Sequence, residues 1–95
     1  MRDYEVMFIL KPDLEEDATS AIVTKFEDLI KNGGGEIEKT DRWGKRRLAY
    51  EIDGFNEGYY VLIDFKAEAG VAGELERVLK ITDGVIRFLI TRKGE

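Results

Sequence analysis

The sequence predicts a single α+β domain in which two helices cover one face of a four-stranded antiparallel sheet. Two segments have apolar residues spaced three and four apart, which indicates amphipathic helices. Four other segments have alternating or continuous apolar residues, which indicates strands. The order along the chain is strand, helix, strand, strand, helix, strand, and right-handed crossovers then place both helices on the same face. This is the ferredoxin-like sandwich, and we expect it to span residues 1–95 with a short tail at 92–95.

The first strand and first helix are separated by a proline. The strand is predicted over Arg2–Leu10, which first alternates charged with aromatic or β-branched residues and then becomes apolar, and Pro12 cannot continue it. Asp13 is the predicted helix cap, and Glu16 three residues later completes a capping box. Glycines at 33–35 end the helix. Its predicted core-facing stripe comprises Leu14, Ala18, Ala21, Ile22, Phe26, Leu29 and Ile30.

The second extended segment, Glu36–Ile52, changes the parity of its large apolar residues. The odd-numbered set comprises Ile37 and Trp43, and the even-numbered set comprises Leu48, Tyr50 and Ile52. Successive side chains of a regular strand point to opposite faces, so one unbroken strand cannot place both sets on one face. We therefore predict a bulge near Gly44, because glycine tolerates the backbone that a bulge requires.

The second half of the chain supplies a turn, a strand, a helix and a last strand. Glycine, asparagine and aspartate predict a turn over residues 53–58. Residues 59–67 predict the third strand, 71–81 the second helix and 85–91 the last strand. The residues predicted to face the core in these elements are Val61, Ile63, Phe65, Val71, Leu75, Val78, Leu79, Phe88 and Ile90.

The composition argues against catalysis and against a metal or cofactor. The chain has no cysteine and no histidine, which removes disulfides, thiolate chemistry, the usual zinc sites and the commonest general base. Ser20 is the only serine and has no histidine to activate it. The glycines at 33–35 follow a helix, whereas a phosphate cradle leads into one. We therefore expect a protein that is not an enzyme and binds no small-molecule substrate.

The chain shows no targeting or membrane-spanning pattern. No apolar run approaches the ~20 residues of a transmembrane helix. The N-terminus opens directly into strand-like sequence and lacks the pattern of a signal peptide. We expect a cytoplasmic protein that does not insert into a membrane.

One dense basic cluster stands out in a chain whose net charge is −5. Arg42, Lys45, Arg46 and Arg47 place four positive charges within six residues, around Trp43. The guanidinium fork suits phosphate oxygens, and an indole ring can stack on an unpaired base for about 1–3 kcal/mol. The cluster therefore indicates RNA contact. A second interpretation stays open, because exposed edge strands carry Lys and Arg to discourage pairing with other chains.

The predicted topology gathers a second basic patch. The first and fourth strands are antiparallel neighbours, so Arg2 is expected beside Arg92 and Lys93 at one end of the sheet. Arg87 lies on the same fourth strand. These charges either contact RNA or only solvate the strand ends.

The sheet face turned away from the helices is unusually apolar. A contiguous exposed apolar surface of this size usually marks an interface. This surface could be covered by a partner protein, by a second copy of the chain or by the tail. Its residues are Met7, Ile9, Tyr60, Leu62 and Leu89.

The stretch Gly-Lys-Arg-Arg-Leu-Ala-Tyr-Glu-Ile at 44–52 resembles the signature of the bacterial small-subunit ribosomal protein six family. That signature is a glycine, basic or polar residues, and then Leu-Ala-Tyr-x-Ile. The opening Arg-Asp-Tyr-Glu at 2–5, Gly-Tyr-Tyr at 58–60 and Val-Ile-Arg at 85–87 are similar to the same family. The resemblance implies a ferredoxin-like fold, residence in the small ribosomal subunit, binding to the central domain of 16S rRNA, and a heterodimer with ribosomal protein eighteen of that subunit.

The resemblance and the residues together predict a structural ribosomal protein that aids assembly. The isolated chain is expected to be a monomer. The alternative is a small-ligand regulatory or homodimeric interaction module of the same fold. RNA contacts are predicted at Arg2, Arg42, Trp43, Lys45, Arg46, Arg47, Arg87, Arg92 and Lys93, and the protein-partner surface at Met7, Ile9, Tyr60, Leu62 and Leu89.

Overall fold

Six elements follow one another in a computed structural model that describes residues 1–93. They are β1 (Arg2–Leu10), α1 (Glu16–Asn32), β2 (Glu36–Ile52), β3 (Phe55–Ala67), α2 (Ala69–Ile81) and β4 (Val85–Arg92). This order confirms the predicted ferredoxin-like architecture. Of the predicted tail, Arg92 is the last residue of β4, whereas Gly94 and Glu95 lie outside the described residues. Neither helix within residues 1–93 is both long and apolar enough to cross a membrane.

The sheet has the strand order β2-β3-β1-β4, and all its pairings are antiparallel. β1 pairs with β3 from Arg2 opposite Ala67 to Leu10 opposite Tyr59. On its other side β1 pairs with β4, where Tyr4 lies opposite Arg92. β2 and β4 are therefore the two edge strands, and the start of β1 lies beside the end of β4, as predicted.

The core lies between the two helices and one face of the sheet. Phe8 of β1 meets Phe26 of α1 edge to face, with ring centroids 5.1 Å apart. Tyr4 stacks on Phe65 of β3 at 5.5 Å. Such aromatic pairs add about 0.5–1.5 kcal/mol to the burial of their area. The other buried members of this cluster are Val6, Leu10, Val23, Ile30, Val61, Ile63, Ala67, Leu75, Val78 and Leu79.

Helix α1 begins at Glu16, so the predicted cap and capping box at Asp13 are wrong. Glu15 occupies the N-cap position in an extended conformation and makes no side-chain capping bond. The segment after β1 is fixed by a backbone hydrogen bond instead of a helix cap, since the Lys11 N–H donates to the Gly84 carbonyl at 2.8 Å. That bond draws the chain toward the loop before β4, and the next residues form a turn before the helix starts.

The buried stripe of α1 also differs from the predicted one at two positions. Ala18 and Ala21 are exposed, whereas Thr19 and Val23 are buried. The inward arc of the helix is centred on positions 19, 23, 26 and 30, which follow the helical repeat, and the two alanines fall outside it. The other predicted residues of the stripe lie in the core or pack against it.

The β2–β3 hairpin is longer than predicted because its turn is only two residues long. The predicted turn at 53–58 is wrong in extent, since β3 already begins at Phe55. Asp53 and Gly54 both have positive φ angles, 49° and 84°. A two-residue turn with this geometry matches the twist of the flanking strands. Because β1 reaches β3 only at Tyr59, residues 46–58 form a two-stranded arm beyond the main sheet.

The predicted bulge near Gly44 is confirmed. Arg42 lies opposite Val61 and Gly44 opposite Tyr60, so Trp43 is an extra residue, and Gly44 has a φ of 84°. A second irregularity follows in the arm. Between the pairs Arg47–Glu57 and Ile52–Phe55, residues 48–51 of β2 span an interval that Asn56 alone spans on β3. A third shift lies between Ile37 and Lys39. Ile37 packs against the core, whereas Trp43, Leu48 and Tyr50 lie on the sheet face away from the helices.

The second half of the domain matches its predicted core residues. Val61, Ile63 and Phe65 are fully buried. In α2, which starts two residues earlier than predicted, the buried side chains are those of Leu75, Val78 and Leu79, and Val71 packs against them from a half-buried position. Phe88 and Ile90 of β4 also pack against the core.

Candidate interaction surfaces

The predicted basic cluster lies on the exposed edge strand β2 and is divided between its two sides. Arg42 and Lys45 lie opposite residues of β3 that face the helices. Trp43 and Arg46 lie on the other side, toward the sheet face that no helix covers, which we call the open face. Lys45, Arg46 and Arg47 are exposed, and within residues 1–93 neither Lys45 nor Arg47 forms an ion pair.

The guanidinium group of Arg42 is bound by other side chains of the same chain. Its Nε donates to the Tyr59 hydroxyl at 2.8 Å, its Nη1 to the Ser20 hydroxyl at 3.0 Å and its Nη2 to the Glu16 carboxylate at 2.8 Å. The Tyr59 hydrogen bond, supported by the Glu16 carboxylate, raises the pKa of Arg42 above its usual value. Arg42 therefore ties the edge strand to α1, which distinguishes it from the three cations of the cluster that face solvent.

Trp43 is partly covered by an intramolecular stack. Its indole lies nearly parallel to the Tyr60 ring, with centroids 6.2 Å apart and an interplanar angle of 12°. The residue is still 46% exposed. One face of the indole is thus occupied by Tyr60, and the other is accessible to a stacking partner from outside.

The ends of β1 and β4 meet as predicted, but Arg2 and Arg92 take the helix side of the sheet, whereas Lys93 takes the other side. The Lys93 N–H donates to the Asp3 carbonyl at 2.8 Å, which extends the β1–β4 pairing past Arg92 and brings it beside Arg2. The Lys93 ammonium lies 3.4 Å from an Asp64 carboxylate oxygen. Arg87 is distant from this patch, because it lies five residues before Arg92 on the same strand, or about 17 Å away.

Arg87 instead contacts the arm. Its Nη1 donates to the Tyr50 hydroxyl at 2.9 Å, although the two residues are 37 positions apart in the sequence. Tyr50 belongs to the irregular part of β2, so this bond holds that part of the arm over the open face. No local sequence signal connects the two side chains.

The open face is apolar at the end nearest the arm, as predicted, with one correction. Ile9 is only 4% exposed, so its predicted exposure is wrong. Leu48 of the arm, itself 7% exposed, packs over this region, and Gly58 lies directly against Ile9. Of the other predicted partner residues, Met7, Tyr60 and Leu62 are half-buried, and Leu89 is exposed. The arm thus covers part of the surface that the sequence assigned to a partner.

A groove remains between the arm and the open face. Its volume is about 320 Å³. It opens to solvent beside the exposed Leu89 side chain. The side chains that define it include Ile9, Leu48, Tyr50, Tyr60, Arg87 and Leu89.

The opposite end of the open face is acidic. Asp3 and Glu5 of β1, Asp64 of β3 and Asp41 of β2 lie there, and we call these four residues the acidic strip. Lysines pair with three of these carboxylates, with Lys39 3.2 Å from Asp41, Lys93 3.4 Å from Asp64 and Lys66 4.0 Å from Asp3. The described part of the chain offers no group of three or more carboxylates arranged to hold a metal ion.

Comparisons with known proteins point to one family. A family model described as ribosomal protein S6 matches residues 3–92. The small ribosomal subunit protein bS6 of Moorella thermoacetica is 58% identical over 95 residues, covering 100% of this chain and 97% of that protein. The bS6 protein of Thermoanaerobacter pseudethanolicus is 55% identical and is covered completely, as is this chain.

A solved structure agrees with these relatives. The crystal structure of 30S ribosomal protein S6 from Thermotoga maritima has a TM-score of 0.92 and 36% identity, covering 97% of this chain and 87% of that one. Since the relatives are proteins of the small ribosomal subunit, the predicted location in the ribosome, and hence in the cytoplasm, is confirmed. The predicted structural, non-enzymatic role is confirmed by the same relatives. The chain belongs to the ribosomal protein S6 family.

Proposed function

We propose that this chain binds the central domain of 16S rRNA jointly with ribosomal protein eighteen of the small subunit and thereby aids assembly. The observation that carries this proposal is the exposed cationic edge formed by Lys45, Arg46 and Arg47 where β2 leaves the main sheet. Membership of the ribosomal protein S6 family supports it. The alternative of a small-ligand module has no comparable support, because the relatives are ribosomal proteins.

The rRNA contacts follow from which cations face solvent. Lys45, Arg46 and Arg47 can approach phosphate oxygens without breaking an ion pair among residues 1–93. The accessible face of Trp43 can stack on an unpaired base. Arg42 contributes indirectly, because its three hydrogen bonds hold the strand from which these side chains project.

The remaining predicted RNA contacts belong to two other places. Arg2 and Arg92 lie on the helix side of the far end of the sheet, and Lys93 lies on its other side, so that they can meet phosphates from two directions. Arg87 lies beside the groove and is bound to Tyr50. We propose that Arg87 contacts rRNA only from the side that faces away from the arm.

Partner dependence follows from the net charge of −5. Phosphate neutralisation dominates nucleic-acid affinity, and an acidic protein gains little from long-range attraction. A basic partner supplies the missing charge and preorganises the joint surface, which lowers the cost of ordering on binding. We therefore expect this chain, a monomer by itself, to bind rRNA weakly alone and tightly with its partner.

Affinity for a 16S central-domain fragment, measured with and without ribosomal protein eighteen, tests the proposal. The double variant Arg46→Glu/Arg47→Glu should weaken binding of the protein pair. The matched control Lys31→Glu/Lys80→Glu reverses two exposed charges on the helices and should leave affinity unchanged. Equal affinity of the charge-reversed arm variant and the wild type would exclude the arm as an rRNA contact. Equal affinity of the chain with and without its partner would exclude joint binding.

A further inference from the structure

Four residues of the arm lie opposite a single residue of its other strand. Between Arg47 and Ile52, β2 has the four residues 48–51, whereas β3 has only Asn56 in the same interval. One residue cannot complete the ladder for four, so residues 48–51 have backbone N–H and C=O groups without regular cross-strand partners. Beside this irregular segment lies a cleft of about 340 Å³.

Three polar residues line the cleft and have no partner for their side chains. Arg47 immediately precedes the irregular segment, Glu51 is its last residue, and Asn56 lies on the opposite strand. All three are exposed, and within residues 1–93 their side chains form no hydrogen bond and no ion pair. Arg47 and Glu51 therefore do not neutralise each other, and the cleft offers a guanidinium, a carboxylate and an amide to a ligand.

The opposite charges of the cleft are separated along β2. Arg47 and Glu51 are four residues apart, or at most about 13 Å along the strand. A phosphate is attracted by Arg47 and repelled by Glu51, whereas the edge of an uncharged base can donate hydrogen bonds to a carboxylate. An RNA nucleotide carries both groups, so its phosphate and its base can each meet the matching residue. Lys45 and Arg46, which directly precede Arg47 and are also exposed, can hold the adjoining phosphates.

We propose that the cleft binds one unpaired guanosine of rRNA, whose phosphate contacts Arg47 and whose base contacts Glu51 and Asn56. The Glu51 carboxylate accepts hydrogen bonds from the N1–H and N2–H groups of guanine, and the Asn56 amide donates one to O6. This inference rests on the proposed function, because it names a nucleotide that the arm contacts. It goes beyond phosphate contact, since a contact with a base edge gives sequence specificity.

The Watson–Crick edge of guanine matches Glu51 and Asn56 better than the edges of the other bases do. Guanine presents two adjacent donors beside one acceptor, and the two oxygens of a carboxylate can accept from both donors. Adenine and cytosine present one amino donor beside an unprotonated ring nitrogen, and uracil presents one donor between two carbonyls, so one oxygen of Glu51 would face a lone pair. A lysine or arginine of a partner protein would pair with Glu51 but would be repelled by Arg47.

Chemical probing of the 16S central-domain fragment, bound to this chain and ribosomal protein eighteen, tests the inference. Kethoxal reacts with N1 and N2 of unpaired guanines, and the wild type should protect one guanine that Glu51→Gln leaves reactive. Glu51→Gln should also weaken rRNA binding of the protein pair about tenfold. This direction is diagnostic, because removal of a carboxylate that merely lies near RNA lessens repulsion and strengthens binding. The matched control Glu57→Gln removes an exposed carboxylate of the same arm that does not line the cleft, and it should not weaken binding.

A substitution in the RNA identifies the contact from the other side. Inosine in place of the protected guanosine removes only the N2 amino group. It should weaken binding of the wild type about fivefold and change binding of Glu51→Gln by less than about twofold, as a double-mutant cycle requires for a direct contact.

The outcomes separate this inference from the proposed function. If no protected guanine depends on Glu51, or if Glu51→Gln binds as tightly as Glu57→Gln, the inference is overturned, but rRNA contact by the arm cations is unaffected. If Arg46→Glu/Arg47→Glu binds as tightly as the wild type, the proposed function fails at the arm, and the inference fails with it. Weaker binding of ribosomal protein eighteen by Glu51→Gln in titration calorimetry without RNA would overturn the inference by assigning the cleft to the protein partner. Tight binding of free guanosine monophosphate by the chain alone would overturn it by assigning the cleft to a soluble nucleotide.

Discussion

Gly58 lies in β3 where the arm joins the main sheet, and a methyl group there would overlap the Cγ2 atom of Ile9. Both residues are buried, and the overlapping methyl is attached to the β-carbon of Ile9, so it can withdraw only if the whole side chain rotates. Overpacking of this kind costs about 1–3 kcal/mol. We expect Gly58→Ala to lower the free energy of unfolding by about 2 kcal/mol, or roughly 8–16 °C in Tm for a domain of this size.

A glycine elsewhere in the chain provides a control, because the same substitution there should raise the stability of the domain. Gly73 lies in α2, and a methyl group there would meet nothing within 4 Å. Alanine is the better helix former by about 0.5–1 kcal/mol, so Gly73→Ala should stabilise the domain by that amount. The same chemical change thus destabilises at position 58 and stabilises at position 73, because only the first glycine has a neighbour in contact.

Urea unfolding followed by the fluorescence of Trp43, the only tryptophan, measures both variants. The cause is isolated by repeating Gly58→Ala in the background Ile9→Ala, which removes the overlapping atom. The loss of stability should then fall below about 0.5 kcal/mol, as a double-mutant cycle requires for a direct contact. Two results would refute the packing of Gly58 against Ile9. Either Gly58→Ala leaves the free energy of unfolding unchanged, or it lowers that free energy equally in the wild type and in Ile9→Ala.

Three further perturbations test other contacts. Arg42→Met should destabilise the domain by about 1–2 kcal/mol in urea unfolding, because three hydrogen bonds are lost. The ion pair with Glu16 is partly exposed, so its loss does not raise the cost above that range. The control Arg47→Met should change stability by less than about 0.5 kcal/mol. Tyr50→Phe should leave stability nearly unchanged but speed amide exchange of the arm, because it removes the bond to Arg87. The hydrogen bond from Arg77 lowers the pKa of Glu74 below its usual value of 4.5. The stabilisation from this bond is therefore fully present above pH 4.5 and is lost as the pH falls through the lower pKa of the folded protein. The difference in stability between wild type and Arg77→Ala should shrink over that acid range, and a constant difference would contradict this.

The sheet was predictable because its patterns are local. Alternation in β3 assigned Val61, Ile63 and Phe65 to the core, and the side-chain period of two allows no other assignment once one face is buried. The same period predicted the bulge at Gly44, although it gave no sign that Ile37 faces the core and Leu48 the opposite face. The basic edge and the apolar face were predicted for the same reason, since each follows from neighbouring residues in a strand.

The features that were missed depend on contacts between distant residues. Ile9 was assigned to solvent because nothing near it in the sequence reports that Leu48 folds over the open face. Arg42 is 26 residues from Glu16 and 17 from Tyr59, so its internal role has no local signature. One signal was available, because a projecting arm alone cannot bury the large apolar side chain of Leu48.

The salt dependence of rRNA binding tests most directly whether the exposed arm cations meet phosphates. The logarithm of the association constant of the protein pair for the 16S central-domain fragment would be measured against the logarithm of salt concentration, for wild type and Arg46→Met/Arg47→Met. Each lost phosphate contact reduces the slope by about 0.7–0.9. We expect the slope to fall by about 1.4–1.8 for the double variant. An unchanged slope would show that Arg46 and Arg47 contact no phosphate, and would contradict the assignment of this edge to rRNA.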